Sequence, residues 1–346
     1  MGKPFLPDLP HDRAGCLRWV LDEVGVLDIA SPEGLSPQRV VSLTGGADAL
    51  TYLVRCPGRD VVVKLSDHGL EAEARALRAW RAQTEWVPDV LGVGTAPSTE
   101  TPPVKYLVLG ALVNDEGAVV ETAAEYLVRS PEDAQALGRE LGAELHRMHE
   151  ARCRTGFGNF ADSPGAERTY ATWSAYLEDF LMQHADYVRD LGVPDPQIEK
   201  ACACVRRCRY VDEPRYLHGD VSIRNIAMRS YDPIRISLFD PNPLSGDPSW
   251  DIAPMTNNVE FNERRHQAQD ATSRSTVLTC DRHLLAGFWE SYPHVIAETS
   301  LQTAQLVQAV LQAEHRQRAR EAGEIDDLDV EVTHAFIRDV MERMST

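Results

Sequence analysis

"YLHGDVSIRN", residues 216–225, is followed at 234–251 by "IRISLFDPNPLSGDPSWD". Asp220 stands five residues before Asn225, and Asp240 ends a run in which Ile234, Ile236 and Leu238 alternate with Arg235 and Ser237. That alternation predicts a strand. "RYLH", just before Asp220, reads as a second strand, and the two are expected to pair as a hairpin carrying Asp220, Asn225 and Asp240 at its loop and far end. A carboxylate and a carboxamide held this close suit phosphoryl transfer. That chemistry asks a protein to position phosphates, hold a divalent metal and aim an acceptor hydroxyl in line. Asp220 suits the acceptance of the hydroxyl proton. Asn225 and Asp240 offer two oxygens to Mg2+, which takes few ligands from protein.

Upstream, β-branched runs between Arg39 and Lys64 are broken by Gly45-Gly46 and by Pro57-Gly58, which are turn signals. "EAEARALRAW" follows, with Ala74, Leu77 and Trp80 at three-residue steps on one helical face. "VPDVLGVG" and "KYLVLGAL" then read as two more strands. The sum is an α+β first lobe, residues 1–112, with a small antiparallel sheet. Lys64 at a strand end and Glu73 on the helix after it suit an ion pair that fixes the α and β phosphates of a nucleotide. Helices dominate a second lobe, 113–346, whose segment from about 255 is expected to form the substrate side. Ser130 is expected to cap a helix through His149, with Pro131 at its first position and Leu137, Leu141, Leu145 and Met148 as an apolar stripe. His146 and His149 on that helix read as a structural pair, with no third metal ligand in view in the sequence. Val332, Phe336 and Val340 close the chain at four-residue steps.

The chain has 346 residues, 43% of them hydrophobic and 25% charged, enough for two lobes around a cleft. Its formal net charge of −18 argues against nucleic acid or an anionic membrane as partner, since phosphate backbones are bound by clustered Lys and Arg. Seven scattered cysteines, an odd number, are no disulfide framework, and "CACVRRC" at 202–208 matches no zinc spacing. No apolar run approaches the roughly 18 residues of a membrane span, and the first residues lack a signal-peptide pattern. The expectation is a cytoplasmic protein, monomer or homodimer, acting on a small molecule. The acidic run at 321–331, "EAGEIDDLDVE", suits either a wall for a cationic ligand or a solvated helix start.

"HGDVSIRN" with "LFDPNPLSGDPSWDIA" resembles the aminoglycoside phosphotransferase family, whose motif is His-Gly-Asp-x4-Asn, then a metal-binding Asp, then Gly-Asp-Pro-x2-Asp-Leu-Ala. The resemblance spans about residues 40–290. It implies the bilobal protein-kinase-like fold and an enzyme that moves the γ-phosphoryl of ATP or GTP to a hydroxyl of an antibiotic. The same fold also serves kinases of sugars, nucleosides, amino alcohols and glycated amines, and a catalytically silent nucleotide-binding module is the remaining alternative. Carried over, Asp220 resembles the catalytic Asp, Asn225 and Asp240 the Mg2+ ligands, and Lys64 with Glu73 the phosphate-positioning pair. Gly45 and Gly46 resemble the loop over the nucleotide. Residues 106–112 resemble the hinge, where backbone groups around Leu109 and Ala111 read the adenine edge. His218, Asp247 and Asp251 are expected to brace the loop, and Glu260 and Glu263 to face the substrate. "TGFGNFADSPG" and "TWSAYLEDFL" resemble a segment of antibiotic kinases in this family, including hygromycin B phosphotransferases. Pro241 and Pro243 depart from the family's usual Asp-Trp after the last strand.

Overall fold

The computed structural model describes residues 11–25, 39–43, 49–56, 58–97, 103–114, 118, 120–160, 169–268, 275–321, 323 and 327–345. Helix α1 (His11–Glu23) precedes strands β1 (Val40–Leu43), β2 (Leu50–Val54) and β3 (Val61–Ser66), helix α2 (Glu71–Arg81), and strands β4 (Val90–Thr95) and β5 (Lys105–Gly110). The strands form one antiparallel sheet of order β1-β2-β3-β5-β4. Strand period decides what each face of β3 does. Val61, Val63 and Leu65 pack with Leu17, Val20 and Leu21 of α1. Val62 packs into the other core, so Lys64, two residues on, is presented on that same inner side. Ala74, Leu77 and Trp80 of α2 are buried there as well, which carries Glu73 to the sheet.

A larger, mainly helical part follows: α3 (Ala123–Arg129), α4 (Ala134–His149), β6 (Gly158–Asn159), α5 (Trp173–Gln183), α6 (Ala185–Asp190), α7 (Asp195–Arg207), β7 (Arg215–Leu217), β8 (Ile226–Tyr231), β9 (Ile234–Leu238), β10 (Leu244–Gly246), α8 (Ser249–Ala268), α9 (Ser275–Ser291), α10 (Glu298–Glu321) and α11 (Asp327–Ser345). The central core joins both parts, because Trp80, Leu107 and Leu109 pack with Leu137, Leu141 and Leu145 of α4 and with Ile236 and Leu238 of β9. A second core gathers α5, α7, α10 and α11, including Phe336 and Val340. No helix among the described residues is long and apolar enough to cross a membrane.

Two local expectations are corrected. The strand at Arg215–Leu217 does not pair with Ile234–Leu238; β9 pairs with β8, and β7 pairs with β10. The Asp232-Pro233 step ends β8 and turns the chain straight back into β9, so the nearest strand takes the ladder and β7 is left to pair with β10, whose other edge holds β6. Ser130 makes no side-chain cap; Pro131–Asp133 form a 3-10 turn that feeds α4 instead. The capped helix lies just before it, where Thr122 and Glu125 form a reciprocal capping box on α3.

Helices α4 and α9 touch backbone to backbone. A Cβ on Gly138 would lie 2.0 Å from Leu284 O, one on Gly142 2.5 Å from Phe288 O, and one on Gly287 2.0 Å from Gln135 O. Alanine is the better helix former by about 1 kcal/mol. Even so, Gly138→Ala is expected to lower stability by about 1–3 kcal/mol, because the two helices must part. Urea unfolding reads this, and an unchanged midpoint would refute the close crossing.

Candidate active site

Strand β7 ends at Leu217 and the chain turns at Gly219, whose φ of +77° suits glycine. A Cβ there would lie 1.8 Å from Asn242 O. The turn leaves two N–H groups facing inward, and Asp251 meets both. In the first turn of α8 and almost wholly buried, its Oδ2 accepts from His218 N and its Oδ1 from Gly219 N, each at 2.7 Å. The N-terminal end of α8 favours a carboxylate at this position. His149 supports Asp251 from behind, with Nε2 at 2.9 Å from Oδ2 and Nδ1 at 2.8 Å from the Tyr292 hydroxyl.

His218 is a brace. Its Nε2 lies 3.1 Å from Phe239 O, a carbonyl that only accepts, so Nε2 carries the proton. Nδ1 is then the acceptor for Asp220 N at 3.4 Å. The ring stacks on Trp80 at 6.0 Å. Burial pushes this imidazole below its ordinary 6.5, against the upward pull of Asp251 and Asp220. The unfolded chain therefore takes up a proton as pH falls through 6.5 while the folded one resists. Stability is fully present above that value and declines below it. His146 and His334 are lowered by burial in the same direction. Thermal unfolding across this range should show a slope that His218→Gln flattens; an equal slope in both proteins would remove His218 from the account.

Asp220 is exposed at the mouth of the loop. Asn225 ends a 3-10 turn, Ile223–Asn225, and donates from Nδ2 to Asp220 Oδ2 at 2.8 Å and to Asp220 O at 3.0 Å. Its amide oxygen is thereby left as the acceptor for another group. Phe239 N donates to Asn225 O at 3.0 Å, which sets the backbone of Asp240 beside the turn. Asp240 has a φ of +55°, a left-handed conformation that Asp tolerates better than most residues. From across the sheet, Lys64 Nζ lies 2.7 Å from Glu73 Oε1 and 2.5 Å from Asp240 Oδ1. Burial alone would lower the Lys64 ammonium, but Glu73 and Asp240 outweigh it and raise its pKa, so it stays charged. The neighbouring Glu71 faces Lys105 instead, at 3.8 Å.

Four direct bonds thus gather the five residues into two groups, Lys64 with Glu73 and Asp240, and Asp220 with Asn225, and the bond from Phe239 N to Asn225 O sets the two side by side. Gly45 and Gly46 lie outside the described residues. The Ala111 N–H is taken by Asp60 O at 3.0 Å, and Leu109 stands inside β5 opposite Val62. Residues 110–113 border a cavity of about 730 Å³ that also touches Arg59 and Arg229, but neither Lys64, Asp220 nor Asp240 lines it. Asp247 accepts from Ser249 N at 2.9 Å and from Val211 N at 3.0 Å. Glu260 pairs with Arg343 at 3.0 Å and Glu263 with Arg282 at 2.7 Å, so each carboxylate already holds a guanidinium. In the acidic run, Asp327 and Asp329 open α11 and pair with Arg320 and Arg265. Sequence reading missed the buttress from Tyr292 through His149. Half of its signal is in the sequence: His149 continues the stripe of Leu141 and Leu145 by one more four-residue step, which marks it as buried but does not name its partner.

Oxygen donors suited to Mg2+ are in place. The Asp240 carboxylate and the amide oxygen of Asn225 belong to backbone segments joined by one hydrogen bond, and Lys64 stands ready beside them.

The profile of the phosphotransferase enzyme family (APH) matches residues 39–279. A "Probable ketoamine kinase" of Vibrio parahaemolyticus is 26% identical over 224 residues, 62% of this chain and 70% of its own length. Among solved structures, aminoglycoside phosphotransferase APH(4)-Ia superposes with a TM-score of 0.65 at 13% identity, over 96% of this chain and 99% of its own. A thermostable mutant of it, in ternary complex with AMP-PNP and hygromycin B, gives 0.62 at 15% identity over 88% and 93%. At these identities the structural likeness is one of fold. The family match covers well over half the chain and includes every residue of the Lys64-to-Asp240 cluster, so the chain belongs to the phosphotransferase enzyme family, as a small-molecule kinase with a protein-kinase-like fold that acts on hydroxyl groups.

Proposed function

We propose that the protein transfers the γ-phosphoryl of ATP or GTP to a hydroxyl of an aminoglycoside-like or other antibiotic, in resistance or self-protection. The observation that carries the reading is the convergence of Lys64, Glu73 and Asp240 on one side with Asp220 and Asn225 on the other. In this reading Asp220 orients the acceptor hydroxyl and takes its proton. Lys64, fixed by Glu73, holds the donor phosphates, and Asn225 and Asp240 hold Mg2+. The metal supplies neutralisation of the charge that develops on the phosphates. His218, Asp247 and Asp251 keep the loop in shape. The nucleotide lies between a lobe at 1–112 and a lobe at 113–346, with its base at the hinge of residues 106–112. A cationic substrate at Glu260 or Glu263 would compete with Arg343 or Arg282 for the carboxylate. Phosphorylation adds negative charge to such a substrate and so weakens binding to anionic targets.

The ketoamine kinase relative favours a second acceptor class, a glycated amine. ADP and GDP formation in the presence of Mg2+, measured against aminocyclitol antibiotics and against ketoamines of sugars and lysine, separates the two. Turnover that depends on an aminocyclitol supports the antibiotic reading; turnover on ketoamines alone replaces it with the second.

A further inference from the structure

We propose that His146, Glu150 and His294 form a binding site for a zinc-class divalent ion, which fastens the α9–α10 connection to the end of α4. His146 and Glu150 lie one helical turn apart, on and just past the last turn of α4, and therefore on one face. His294 approaches from the segment between α9 and α10. Each residue offers one ligand atom, and the three atoms lie within 4.8 Å of one another. His294 Nε2 and Glu150 Oε1 are 3.1 Å apart. Two ligands of a tetrahedral zinc with bonds of about 2.0–2.1 Å stand about 3.3 Å apart, so this pair already has the required spacing. The imidazoles of His146 and His294 meet edge to face, with centroids 4.4 Å apart.

A surface hydrogen bond would account for His294 and Glu150 alone. It leaves His146 Nδ1 buried and without a hydrogen-bond partner, and such atoms call for a specific explanation. The two arginines nearest Glu150 in sequence are engaged elsewhere, Arg152 with Glu213 at 2.5 Å and Arg147 with Glu144 at 2.7 Å. Two nitrogens and one oxygen select zinc, cobalt or nickel over Mg2+, which prefers oxygen throughout, and leave a fourth position for water. The site is distinct from the Asp240 cluster but not remote in linkage. Tyr292, two residues before His294, bonds His149, and His149 bonds Asp251.

The test uses the full chain after treatment with EDTA. ZnCl2 titrated against a chromogenic chelator should show one equivalent bound, and CoCl2 should give the visible bands of a four-coordinate ion. His146→Ala and His294→Ala should each abolish that binding, as should Glu150→Gln, which keeps the side-chain shape if a histidine variant folds poorly. Zinc should raise the Tm of the unaltered protein and leave the Tm of the variants where it was. Absence of saturable zinc binding would overturn the proposal. So would full retention of zinc in the His146→Ala, His294→Ala double variant, which would assign the ion to the free cysteines at 202, 204 and 208.

Discussion

Asp220→Asn is expected to reduce kcat by about 10²- to 10⁴-fold while nucleotide affinity and Tm stay near those of the unaltered protein. The size of the loss follows from what remains. An asparagine at 220 can still present an oxygen to Asn225 Nδ2, which now lies 2.8 Å from Asp220 Oδ2, so the turn keeps its shape. Lys64, Glu73 and Asp240 are untouched. Only the ability to take a proton from the acceptor is removed. Single-turnover rates with a saturating acceptor are the appropriate measurement, and a loss smaller than tenfold would mean that Asp220 only positions its neighbours.

Asp251→Ala should have the largest effect on stability of any change near the site. It removes the acceptor for His218 N and for Gly219 N at once, and the partner of His149 Nε2. Each orphaned buried N–H costs about 1–3 kcal/mol, so the two together cost roughly 2–6 kcal/mol before His149 is counted. That is a large share of the typical 5–15 kcal/mol of a folded domain. Asp251→Asn keeps one acceptor oxygen and should lose less. Urea unfolding orders the three proteins, and activity should fall in the same order because Asp220 follows Gly219 directly. An alanine variant as stable as the parent would show that water or a shifted loop satisfies those donors.

Much of this was legible in the sequence because it rests on short-range rules. The β-branched run of Val61, Val62 and Val63 marks the strand that leads into Lys64, and the three-residue steps of Ala74, Leu77 and Trp80 mark the helix that brings Glu73, while the face on which Lys64 emerges shows only in the packing of β3. The spacing of Asp220, Asn225 and Asp240 pointed to one chemistry whichever strands carried them. Pairing was less legible. "IAMRSY" at 226–231 lacks the alternation that marks a half-buried strand, so β8 does not declare itself and β9 has no visible partner but the segment at 215–217. Long-range partners left little trace. Nothing local to His149 announces Tyr292, and nothing near His146 announces His294, since those contacts depend on how closely the glycines let α4 and α9 approach.

The distances along the chain between bonded partners also order events on the ribosome. Lys64 waits 176 residues for Asp240, and His149 waits 143 residues for Tyr292. A nascent chain therefore exposes the Asp220 loop before the carboxylate of Asp251 has left the exit tunnel, and Asp251 in turn emerges ahead of the tyrosine that secures its histidine. A polypeptide halted between α8 and α9 would spell out the whole phosphotransferase motif yet lack the frame that gives it a shape.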